Sequence, residues 1–90
     1  MNTELARFSP SVNWDRVNAR MSLRDEIRDI DETVRVLHEC KYTYYAQFSR
    51  GEITRERRDY LVDGILYQLD RFKSMKKLAQ ESLDKLRRNR

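Results

Sequence analysis

The chain has 90 residues, of which 39% are hydrophobic and 38% charged, with only two glycines, one proline and one cysteine. That length allows one domain with a limited core, and so few breakers among so many charges argue against a sandwich or barrel and for long helices. The net charge of +4 is unevenly spread: residues 1–70 carry 11 Lys+Arg against 13 Asp+Glu, whereas residues 71–90 carry 8 against 2, so the basicity belongs to the C-terminal segment.

Residues 1–8 show no hydrophobic period and are expected to be mobile, as are residues 88–90. Ser9-Pro10 then supplies a cap and a first-turn proline. Trp14, Val17 and Met21 follow at helical spacing, which predicts a short first helix over about residues 10–20. Ser22 is a second candidate cap, with Asp25 and Glu26 adding negative charge to the turn after it. A break is therefore expected near residues 18–22, the alternative being a helix uninterrupted through Met21.

From Leu23 the pattern is strict. Leu23, Ile27, Ile30, Val34, Leu37, Lys41, Tyr44 and Phe48 alternate spacings of four and three, which is a heptad seam. Lys41 alone is out of type, and its aliphatic stem can lie on the seam while the ammonium reaches water. The long helix, residues 23–50, should end at Gly51, the residue best suited to a left-handed C-terminal cap. Thr54 caps a second long helix over 55–87, whose apolar stripe reads Leu61, Ile65, Leu69, Phe72, Met75, Ala79, Leu83 and Leu86.

Two long helices with a short connection predict an all-α fold, an antiparallel hairpin. Facing residue numbers should total about 105. Leu37 then meets Leu69, Val34 meets Phe72 and Ile30 meets Met75. The Trp14 helix is expected to cover the open end near Leu23 and Leu83. Val36, Val62, Leu66 and Leu78 lie off the main stripes and widen the apolar faces. This surplus points to a three-helix bundle, or to a homodimer forming a four-helix bundle.

Catalytic chemistry finds little support. His38 and Cys40 diverge by about 200° on a helix, and there is no second His or Cys for a zinc set. Gly51 and Gly64 are too far apart for a phosphate-cradling loop. The carboxylates Asp25, Asp29, Asp31 and Glu32 interleave with Arg24, Arg28 and Arg35, as a solvated ion-pair face does. No enzyme activity, metal or cofactor is expected.

The stretch KYTYYAQFSRGEIT, residues 41–54, gathers three tyrosines and a phenylalanine before the turn. Tyr44 and Phe48 continue the seam, and Tyr60 and Leu61 are expected to pack with them across the turn. Tyr42, Tyr45 and Tyr67 leave their stripes and, with Arg57 and Arg58, form the candidate partner-binding set, because tyrosine and arginine are enriched at protein interfaces. The expected function is that of a protein-binding adaptor, inhibitor or assembly factor. The alternative is a nucleic-acid-binding regulator using Lys73, Lys76, Lys77, Lys85, Arg87 and Arg88. A third possibility is a structural subunit of an oligomer. The lone Cys40 permits no disulfide within the chain, no apolar run opens the sequence, and no stretch approaches the roughly 20 apolar residues of a membrane span. The cytoplasm is the expected location.

Overall fold

The computed structural model describes residues 14–88. They form two long helices, α1 (Trp14–Ser49) and α2 (Arg55–Arg88), packed against each other as a hairpin-like pair with no strand among the described residues. The radius of gyration is 21.1 Å, against about 12 Å for a globular domain of this length. The molecule is thus a thin rod, and its core is a single seam.

The turn is built as the residues require. Gly51 adopts φ 77°, the left-handed region that costs a side-chain-bearing residue strain. Its N–H donates to the Phe48 carbonyl at 2.9 Å, and the Glu52 N–H donates to the Gln47 carbonyl at 2.9 Å. These two bonds are the Schellman closure of a helix C-terminus. Three residues after Gly51, the Thr54 hydroxyl accepts from the Arg57 N–H at 3.1 Å, capping α2. Ile53 between them is half-buried.

Along α1 the heptad seam lies where its spacing puts it. Leu23, Ile27, Val34, Leu37, Tyr44 and Phe48 are half-buried, and Ile30 is buried. Lys41 keeps its stem on the seam and lifts its ammonium 5.3 Å from the centre of the Tyr42 ring. Ile30 and Phe72 line one hollow, Ile27 and Leu83 a second, and Tyr44 with Leu61 and Ile65 a third.

Three expectations are corrected. First, no break interrupts residues 18–22: α1 runs continuously from Trp14. No glycine or proline stands there, and Asn18 and Ser22 each cost a helix only tenths of a kcal/mol, roughly 0.5. Trp14 and Met21 face outward on this same helix, both about half exposed, so no Trp14 helix folds back over Leu23 and Leu83. The expected residues 10–13 lie outside the described part, as do residues 1–8 and 89–90. Second, Val62 is buried whereas Met75 is exposed. The seam of α2 is Arg58, Val62, Ile65, Leu69, Phe72, Lys76, Ala79, Leu83 and Leu86, another alternation of four and three. A pair of helices in long contact keeps a 3.5-residue repeat facing its partner, not the 3.6-residue stripe drawn through Met75. Third, Tyr60 does not pack at the turn; it is 71% exposed.

Two basic residues therefore occupy seam positions of α2. Lys76 donates to the Asp31 carboxylate at 2.6 Å across the helix pair. Arg58 lays its guanidinium 4.4 Å from the Phe48 ring centre and 2.8 Å from Asp59, so its charge is used within the hairpin.

Candidate protein-binding surface

Heptad position sorts the remaining side chains into two flanks of the rod and an outer back on each helix. One flank carries Arg24, Asp31, His38 and Tyr45 from α1, then Leu66, Lys73, Gln80 and Arg87 from α2. Tyr42 lies just beyond Tyr45 on the same flank. The hollow shared by Arg24, Ile27, Gln80, Leu83 and Arg87 is on this side too. In its half nearer the turn, Tyr42 is 64% exposed, Tyr45 43% and Leu66 48%. Three large side chains with apolar bodies so close together on a slender rod form a contiguous, solvent-facing patch.

The five residues selected from the sequence do not all meet there. Tyr42 and Tyr45 share the patch. Tyr67 is well exposed but sits on the outer back of α2, one heptad from Tyr60. Arg57 is exposed on the opposite flank, its guanidinium 5.7 Å from the Tyr60 ring centre. Arg58 is turned inward, its side chain only 22% exposed, and also lies 5.8 Å from the Tyr45 ring centre. It supports the patch from beneath rather than presenting its charge. Leu66 and Tyr60 were not in the predicted set. The signal for Tyr60 was its seven-residue spacing from Tyr67, which puts both on one line of the helix.

His38 lies at the floor of the Tyr42–Tyr45 flank. It is half-buried, and its Nδ1 is buried with no hydrogen-bond partner. Such an orphan atom costs roughly 1–3 kcal/mol. The neighbouring outer surface of α1 is an ion-pair ladder. Arg35 donates to Glu32 and, at 2.9 Å, to Glu39. The Glu32 hydrogen bond, then the charges of Glu32 and Glu39, raise the Arg35 pKa above its ordinary value. These exposed pairs contribute little to stability and mainly keep this surface soluble.

The basic C-terminal set falls into parts. Lys73, Lys77, Lys85, Arg87 and Arg88 are exposed, and Lys73, Lys76 and Lys77 line one hollow with Asp70, Ser74 and Gln80. Lys76 is in the seam and paired with Asp31. Arg87 lies 3.9 Å from Asp84. Among the described residues no group of His, Cys, Asp and Glu is arranged to hold a metal ion, and no helix is long and apolar enough to cross a membrane. Comparison with family models, with curated proteins and with solved structures gives no match.

Proposed function

We propose that the chain is a non-enzymatic protein-binding module, an adaptor, inhibitor or assembly factor that docks stoichiometrically through the flank bearing Tyr42, Tyr45 and Leu66. The observation that carries this reading is the clustered exposure of those three side chains on a rigid pair of helices. Tyrosine anchors lose little rotamer entropy on binding, and a preformed helical face loses almost none in its backbone. We further read the pair as an antiparallel hairpin. The five-residue connection, the Asp31–Lys76 pair and the shared hollows at both ends support that arrangement. The reducing cytoplasm suits the exposed free thiol of Cys40.

The basic end of α2 gives weaker support to nucleic-acid binding, because Lys76 is committed to Asp31, Arg87 lies beside Asp84, and Asp70 lines the hollow shared by Lys73 and Lys77. Salt separates the two readings. Binding to phosphates weakens steeply between 50 and 200 mM salt, by roughly a thousandfold or more for six contacts, while an aromatic-anchored contact weakens far less.

The test is capture of the partner from the native host by the tagged chain, identified by mass spectrometry and then measured with purified components. Tyr42→Ser with Tyr45→Ser should weaken binding by about 2 kcal/mol or more per anchor while leaving the melting temperature nearly unchanged. Unchanged affinity, or a collapse of stability in the double variant, would remove the basis for this reading.

A further inference from the structure

The opposite flank differs in character. From Thr33 to Gln47 its α1 positions, Val36 and Cys40 among them, carry no charge. From Leu61 to Leu78 its α2 positions carry one, Arg71. Val36, Met75 and Leu78 on it are exposed. In its middle lies a hollow lined by Tyr44, Leu61, Gly64, Ile65 and Gln68, with Tyr60 and the carboxylate-bearing Asp63 at its outer edge. Gly64 stands in mid-helix, where glycine costs about 1 kcal/mol relative to alanine. A Cβ placed there would meet nothing within 4 Å, so nothing inside the chain requires the glycine.

We propose that this flank is the self-association face, and that its occupant is a second copy of the chain related by a two-fold axis near Val36 and Cys40. The proposal rests on the antiparallel reading of the hairpin but not on the tyrosine-bearing flank. Two observations select a second copy. The first is area. The accessible surface is 7198 Å², against about 5,600 Å² for a compact monomer of 11.0 kDa. The excess is larger than the ~800 Å² that each partner loses in a standard interface.

The second is shape along the flank. Positions on the two helices are level when their numbers total about 106, as the Phe48–Arg58 and Asp31–Lys76 contacts indicate. A two-fold axis crossing the rods at the level of Leu37 sets each helix against its own copy and places Met75 of each copy at the Gly64 hollow of the other. A flexible thioether opposite a missing side chain is a complementary pair, and a two-fold contact repeats each complement twice. The product is a four-helix bundle with both tyrosine-bearing flanks outward.

The test is sedimentation equilibrium of the full chain from 1 to about 100 μM, a range that brackets a micromolar dimer. The wild type should give a dimer, and Gly64→Gln should raise its dissociation constant by about thirtyfold while keeping or increasing helicity, because glutamine is the better helix former. Tyr42→Ser should leave it intact. A monomer throughout, as would follow if residues 1–13 or a different protein covered the flank, would overturn the proposal. So would a species larger than a dimer, or a dimer indifferent to Gly64→Gln.

Discussion

Ile30 is the most informative single position in the seam. It is 4% exposed, sits near the middle of α1 and borders the same hollow as Phe72. Truncation to alanine removes three carbons from this contact and leaves a gap, a change that costs about 3 kcal/mol in cores of this kind. For a domain of this size that lowers the melting temperature by about 12–24 °C. Ile30→Asp is more severe. It loses the same contact and places a carboxylate against Phe72, near Glu26 and Asp29, while the seam cation at this level, Lys76, is already paired with Asp31. A buried unpaired charge adds several kcal/mol, so the total exceeds about 5 kcal/mol. The whole stability of the 75 described residues is roughly 4–11 kcal/mol. Ile30→Asp should therefore be largely unfolded at 25 °C and pH 7, with Ile30→Ala folded but markedly less stable. Circular dichroism at 222 nm with thermal melting distinguishes these states. Full helicity and an unchanged melting temperature in Ile30→Asp would refute the assignment of Ile30 to the seam.

Three further outcomes are expected. Gly51→Ala forces a Cβ into the left-handed region and should cost about 1–2 kcal/mol, or about 4–16 °C in melting temperature; an unchanged value would show that the turn relaxes into another form. His38→Leu removes the orphan Nδ1 and should raise the melting temperature by about 4–8 °C, whereas a fall would mean that the imidazole is satisfied in solution. At the turn, the Arg50 hydrogen bond holds the Glu52 carboxyl below its ordinary pKa. The stabilisation from this pair is thus present above the unfolded-state pKa and fades as pH falls through the lower folded value. An NMR titration should give Glu52 a midpoint below the ordinary glutamate range, returning to that range in Arg50→Ala; an ordinary midpoint in the wild type would remove the pair from solution.

Much of the architecture was legible because its signals are local. Gly51 and Thr54 mark the turn by backbone geometry that few other residues satisfy, and the Leu23–Phe48 alternation places its own seam. The second seam was read less well for a reason that lies in the partner. Arg58 and Lys76 look like surface residues until Phe48 and Asp31 are seen opposite them, so the stripe was drawn through Leu61 and Met75 instead. Val62 and Lys76 therefore hold the seam places expected of Leu61 and Met75. The candidate surface suffered the same way. Tyr42 and Tyr45 could be placed from helical spacing alone, but grouping them with Leu66 needs the second helix in position. Arg57 and Arg58 are adjacent in sequence yet belong to different sides, because one residue along a helix turns the side chain by about 100°.

The Asp31–Lys76 pair has a consequence beyond its own small free energy. A heptad seam is degenerate: sliding one helix by seven residues superposes one apolar layer on the next and forfeits little burial. Such a slipped hairpin is a plausible kinetic trap for a chain with so repetitive a pattern. The ion pair makes slippage costly. One heptad in either direction would move Lys76 from Asp31 to Arg24 or to His38, exchanging attraction for repulsion or for a side chain that offers no carboxylate. The correct alignment is therefore encoded twice, by the turn and by this pair at the far half of the rod. A chain whose turn is lengthened by a flexible insert should still zip into the same alignment, and one that also carries Asp31→Lys should lose that fidelity.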